Sequence, residues 1–235
     1  MRNTIGRIGV GMAVAAAVGA ALLSVGAYGV DVITHGATTI TMDFVAIGNA
    51  GNAADTMGDP NPCGAVAYPY RMGTYEVSAA QWAPVNTAAG IGDSGTWTGS
   101  QPVASISWHN AALFCNLLTS GSAYSGYYTI TGTGDSATAV PNALSHAAYA
   151  AANGPTYFLP TEDEWYKAAY YSSSGVYYDY PTGSNTVPTD VLGGTAAGTA
   201  VYYGPNVNPA APAAIDNSGG LSPYLTMGQG GNVWE

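Results

Sequence analysis

Between Thr38 and Ile47 the chain alternates, with Thr38, Ile40, Met42 and Phe44 on one set of positions and polar or small residues between them, before it turns continuously apolar at Phe44-Val45-Ala46-Ile47. That pattern predicts a first strand. A long loop over 48–64 follows, then a second extended run from Tyr68 to Val77. Ser78-Ala79-Ala80-Gln81 has the residues of a capped helix start carrying Trp82, with Pro84 expected to keep that helix short or distorted. Pro102 to Ile106 reads as a short extended piece, and Ser107 as the cap of a helix to about Thr119 with Ala111, Phe114, Cys115 and Leu118 on its core face. Residues 121–139 are rich in Gly, Ser, Thr and Tyr and predict an exposed hairpin-like insertion around Tyr127-Tyr128-Thr129-Ile130. Ala143 to Ala152 fits either a short helix or a loop, and leads into a Tyr157-Phe158-Leu159 strand. From Gly175 to Pro223 many Gly and Pro residues and no helical period predict irregular loop with short strands.

The densest local signal is Phe158-Leu159-Pro160-Thr161-Glu162-Asp163-Glu164-Trp165. Thr161 and Glu164 have the spacing of a reciprocal capping box, and Glu162, Asp163 and Glu164 fall in the first helical turn, where the helix dipole favours carboxylates. These acids therefore read as structural rather than catalytic. A helix entered at Thr161 is expected to turn Trp165, Ala168 and Ala169 inward and leave Glu162 in solvent.

The N-terminus changes the picture of where the chain works. Arg2 and Arg7 precede a small-residue apolar run from Val10 to Val25, with Val25-Gly26-Ala27 or Ala27-Tyr28-Gly29 as a cleavage site, so residues 1–29 read as a secretory signal peptide. An uncleaved anchor is the alternative, but the run is shorter than the ~20 residues needed to span a bilayer. Beyond it the chain keeps all 14 acids against two bases, Arg71 and Lys167. Nucleic acid and anionic membrane surfaces are excluded as partners on that charge, and a cation ligand is favoured. The expected setting is secreted or cell surface, with an extracellular ligand or protein as partner and no membrane insertion after cleavage. Cys63 and Cys115 in an exported chain invite a disulfide, whose loop of about 50 residues would contribute ~4 kcal/mol. Sequence leaves that pairing open.

Catalytic constellations are sparse. Gly90-Ile91-Gly92-Asp93-Ser94-Gly95 matches a dinucleotide pattern but Thr96-Trp97-Thr98-Gly99-Ser100 does not open a helix, so the match carries nothing. There is no G-x-S-x-G elbow, no H-E-x-x-H and no C-x-x-C, and His35, His109 and His146 are scattered. His109 is expected on the solvated side of its helix.

Four blocks carry a resemblance: Leu159-Pro160-Thr161-Glu162-Asp163-Glu164-Trp165; Tyr75-Glu76-Val77-Ser78 with Gln81-Trp82; Pro102-Val103 through Ser107-Trp108 to Phe114-Cys115; and Gly231-Asn232-Val233-Trp234-Glu235. In order and content they resemble the formylglycine-generating enzyme, or sulfatase-modifying-factor, family. The resemblance implies an α+β, C-type-lectin-like fold over residues 38–235, incomplete at its C-terminal end: a few helices on short twisted strands with much irregular loop. It also implies a copper(I) oxidase chemistry using two cysteines beyond the last block. No position here corresponds to either cysteine, so copper enters only if a C-terminal continuation carries them. In some members a cysteine at the Cys115 position pairs far downstream. Family calcium ligation, carried over by position, falls on Gly228, Gly231, Val233 and Glu235, where Gly228 lacks the side-chain oxygen usual there and weakens the site, since calcium takes about six to eight oxygens. Gly228→Asp is on this reading expected to restore a ligand, while Asn232 and Trp234 read as packing residues. Phe158, Leu117 and His109 depart from the family's arginine, tryptophan and acid.

Three functions follow: an exported non-catalytic binding or surface module of this superfamily, a copper-dependent formylglycine-generating oxidase of sulfatase cysteines, and a calcium-stapled structural domain.

Overall fold

The alternating run forms a strand with the predicted bounds, and it is the spine of the molecule. In the computed structural model, which describes residues 15–17, 28–57, 62–91 and 97–233, β1 is Ala15–Ala17, β2 Tyr28–His35, β3 Thr38–Ile47, β4 Tyr70–Gly73 and β7 Thr156–Phe158. These make one five-stranded sheet in the order β2-β3-β4-β1-β7, and all its pairings are antiparallel. Of the leader reading, residues 1–14 and 18–27 lie outside the described residues. The second strand is shorter than the Tyr68–Val77 run predicts: pairing stops at Gly73, and Ser78 already serves as a helix cap.

Because successive side chains of a strand face opposite ways, β3 serves two cores. Ile40, Met42 and Phe44 join α1 (Ala79–Ala89) and α2 (Trp108–Ser120) in one cluster, where Trp82 stacks on Phe114 at 5.3 Å. Val45 and Ile47 join Tyr70, Met72, Ala168, Tyr171 and Tyr224 in the other. Pro84 sits inside α1 without ending it. The carbonyl deprived of its partner is that of Ala80, on the exposed side of the helix.

The hairpin insertion is β5 (Tyr128–Thr131) with β6 (Thr138–Pro141), and the ambiguous stretch is a helix, α3 (His146–Asn153), capped by Ser145. Asn116, fully buried in α2, anchors the hairpin by accepting the Tyr128 N–H and donating to the Tyr128 carbonyl. The C-terminal half is loop with two-residue parallel strands β8 (Thr189–Asp190) and β9 (Thr199–Ala200). Among the described residues, no helix is long and apolar enough to cross a membrane.

Helix α4 (Glu162–Tyr170) opens with the predicted capping box, and Glu162 is exposed. Its faces differ from expectation. Trp165 is half-buried, while Glu164 and Lys167 are buried at 1% and 0% exposure. Polar side chains of this helix are drawn inside by partners on other segments. The Glu164 carboxylate accepts from the Thr161 N–H at 2.7 Å and the Tyr68 hydroxyl at 2.7 Å, and meets His146 Nδ1 at 2.9 Å. Burial raises its pKa, but the His146 contact, the Thr161 N–H and the Tyr68 hydroxyl outweigh burial and hold it below its ordinary value. Lys167 donates from Nζ to the Asn49 carbonyl at 3.0 Å with the rings of Tyr70 and Tyr171 about it, and burial lowers its pKa to about 8.

Both groups make stability depend on pH. Lys167 releases its proton near 8 when folded but near 10.5 when unfolded; between those values the unfolded chain binds more protons, so stability rises with pH. Tyrosines such as Tyr70, whose pKa burial raises above the ordinary 10, reverse the trend above that point. The Cys63 and Cys115 thiols, raised by burial above their ordinary 9, oppose the trend from there up, so the Lys167 contribution is read as a difference: we expect the unfolding free energy from denaturant melts to change more favourably between about pH 8 and 10 in the wild type than in Lys167→Met. At the acid end Glu164 stabilises above its ordinary 4.5, and that contribution is lost as pH falls through its lower folded value; Glu164→Gln should shift the acid transition.

Candidate functional site

The last described turn, Gly228 to Val233, is pinned to the chain segment that leaves β4. Met227 N–H donates to the Thr74 carbonyl at 2.8 Å, and Asn232 N–H to the Val201 carbonyl at 2.6 Å. Asn232 is 3% exposed; its Nδ2 donates to Glu76 Oε2 at 2.6 Å and its Oδ1 accepts from Ala213 N–H at 2.7 Å. It is a cross-strut between three loops, the packing role its sequence suggests.

Gly228 has a physical reason to be glycine. Its φ is +86°, and a Cβ there would lie 2.9 Å from Glu76 Oε2. Glu76 is itself 2% exposed and held by Asn232, so it cannot swing aside. Gly231 is as confined, since a Cβ would run into the Val201 carbonyl. Of the carried-over calcium positions, Gly231 and Val233 are thus in a tight buried turn, while Trp234 and Glu235 lie outside the described residues. Glu76 Oε2 is a carboxylate oxygen beside this turn and accepts from Asn232 Nδ2 at 2.6 Å. Among the described residues no group of three or more His, Cys, Asp or Glu converges on a point.

The cysteines do not pair. Cys63 and Cys115 are both free and buried. Cys63 lies in a two-residue bridge with Asp55, and burial and the Asp55 and Asp163 carboxylates raise its thiol, against a Tyr166 hydrogen bond that lowers it. Cys115 is inside α2, where burial alone pushes its thiol well up. Neither is an activated nucleophile. The histidines likewise have structural partners: His35 Nε2 lies 3.1 Å from the Leu118 carbonyl, His109 Nδ1 accepts the Ala139 N–H at 3.0 Å, and His146 lies on Glu164 and stacks on Phe158 at 4.2 Å.

What the arrangement does offer is a small depression beside the same turn, between Pro181, Pro188, Gly220, Gly228 and Gly231. Gln229 Nε2 and Thr182 Oγ1 line it, both buried without a hydrogen-bond partner. Unpaired buried donors are costly and rare. The space admits one water-sized group. Gln229 and Thr182 escape sequence reading because their neighbours come from segments about fifty residues apart; the clustering of glycines in Gly228-Gln229-Gly230-Gly231 is the signal that was available.

A family profile, that of the sulfatase-modifying factor enzyme 1-like domain, matches residues 32–235. The chain belongs to this family, and with it to the C-type-lectin-like α+β fold. Searches of curated proteins and of solved structures give no match.

At Gly228 the geometry opposes an added side chain. Gly228→Asp places a side chain at positive φ against a held carboxylate, and we expect it to cost about 1–3 kcal/mol. Thermal melts with chelator and with calcium check this: a lower Tm in both is expected, whereas a rise confined to calcium would restore the carried-over ligand reading.

Proposed function

We propose that this chain is an exported, non-catalytic binding module of the sulfatase-modifying-factor family, working outside the cytoplasm. The observation that carries the reading is the depression beside Gly228–Gly231, whose two buried donors, Gln229 Nε2 and Thr182 Oγ1, have no partner in the protein. Such donors suit a single uncharged acceptor oxygen, a carbonyl or hydroxyl projecting from a larger ligand. A carboxylate or phosphate is disfavoured by a formal charge of -10. The loops around it are held rigidly: Asp190, 3% exposed, accepts the N–H groups of Asn206 and Val207 at 2.7 and 2.6 Å. Tyr203 and Leu192 stand out from these loops at 61% and 62% exposure. A rigid loop surface with one polar notch is a binding architecture.

Cys63 and Cys115, buried in separate elements, do not themselves form the kind of thiolate pair that suits copper(I).

Two measurements test the proposal. Incubated with copper(I) and a sulfatase-type cysteine peptide, the protein is expected to form no formylglycine by mass spectrometry; copper-dependent conversion would overturn the non-catalytic reading. Thr182→Val is expected to leave the denaturant midpoint within about 0.5 kcal/mol or to raise it, because a buried unpaired hydroxyl contributes nothing to folding. A loss above about 1 kcal/mol would show that the hydroxyl serves the fold rather than a ligand.

A further inference from the structure

A chain of aromatic rings runs from the surface of α4 into the second core. Trp165 and Tyr170, both half-buried on α4, have ring centres 6.0 Å apart. Tyr170 lies 4.6 Å from Tyr166, Tyr166 5.7 Å from Tyr177, and Tyr177 4.7 Å from Tyr171, which stacks on Tyr224 at 6.5 Å. Such rings fill a core whatever else they do. Among aromatic side chains, however, tyrosine and tryptophan are those most readily stripped of one electron, and an electron hole passes between rings this close.

Tyr166 has a place for its proton. A tyrosine keeps its hydroxyl proton up to about pH 10, but on losing an electron it becomes a strong acid, so its oxidation in the interior requires a base on the hydroxyl. Tyr166, 3% exposed, donates to Asp55 Oδ2 at 2.9 Å. Further in, the Tyr177 hydroxyl donates to the Ala53 and Gly64 carbonyls at 3.0 and 2.8 Å, which are far weaker bases than a carboxylate. Tyr171 accepts from Asn49 Nδ2 at 2.8 Å and has the Lys167 ammonium 5.9 Å from its ring centre, a positive charge that resists a hole there. Tyr68 and Tyr157 also meet carboxylates, those of Glu164 and Asp31, but stand off this chain of rings.

We propose that Tyr166 is a redox-active tyrosine and that Trp165 and Tyr170 are its entry from solvent. A one-electron oxidant at the α4 surface takes one electron from the Trp165–Tyr170 pair. The hole moves inward to Tyr166, whose O–H bond breaks as the proton passes to Asp55 Oδ2. The products are a neutral phenoxyl radical, a protonated Asp55 and an oxidant reduced by one electron. The activity is the capture of a diffusible oxidant's equivalent at one sheltered position, and it does not depend on the polar notch beside Gly228.

The test uses the full chain, with and without Cys63→Ser, because the Cys63 thiol beside the Tyr166 hydroxyl is a hydrogen-atom donor that quenches such a radical. Flash oxidation by a ruthenium(III) polypyridyl complex is expected to leave a tyrosyl EPR signal that outlives those of exposed tyrosines such as Tyr203, and to form it with a solvent deuterium isotope effect. Tyr166→Phe should remove that signal. Asp55→Asn should slow its formation at least about ten-fold, since a positioned base contributes about 10²–10⁴ to proton transfer, and Tyr170→Leu, which interrupts the path, should slow it as well. If no long-lived signal forms in either background, if Tyr166→Phe keeps it, or if Asp55→Asn forms it at the wild-type rate, the proposal is wrong. Where Tyr166→Phe fails to fold, fluorotyrosine in place of Tyr166 keeps the hydroxyl: a fluorine splitting in the EPR signal supports the assignment and its absence overturns it.

Discussion

One carboxylate ties the halves of this molecule together. Glu164 closes the capping box of α4, accepts the Tyr68 hydroxyl from the approach to β4 and meets His146 at the start of α3, while its own carbonyl accepts the Tyr70 hydroxyl at 2.5 Å. Buried charge is expensive unless every lone pair is engaged. Here they are engaged, by the α4 cap itself and by two further segments, the approach to β4 and the start of α3, so α4 cannot move without disturbing both. The aromatic column of Phe158, His146, Tyr127 and Tyr149 then packs on the same corner.

The parts of the fold that were legible in the sequence are those whose cause is local. Ser78, Ser107 and Thr161 announce their helices because a cap is decided within four residues, and Thr38–Ile47 announces itself by period. The inward turn of Glu164 and Lys167 was not legible. Its cause is Tyr68, Asn49 and His146, residues brought from three other segments, and an amphipathic reading of α4 assigns charged positions to solvent by default. Trp165 was displaced to a half-buried position by the same arrangement.

The candidate site shows the same division. The Gly231-Asn232-Val233 block was identified by resemblance, and family membership follows from a profile match over residues 32–235. What the block does in this chain depends on Glu76, which precedes Gly228 by more than 150 residues. Without that contact Gly228 looks like a lost ligand. With it, the glycine is a fitted backbone position and the polar feature of the turn is the neighbouring Gln229.

The loop half also shows how a protein with many acids and few bases holds itself together. Asp163 accepts the Gly64 N–H, Asp55 the Met57 N–H and the Tyr166 hydroxyl, and Asp190 the N–H groups of Asn206 and Val207. These anions are satisfied by backbone amides and hydroxyls rather than by lysine or arginine. Contacts of that kind are short-ranged and are not weakened by dissolved ions, whereas the mutual repulsion of the remaining carboxylates is screened by them. Dissolved salt therefore weakens the repulsion among these acids while leaving their amide and hydroxyl contacts in place, and the contact it chiefly screens is the Arg71–Asp31 ion pair.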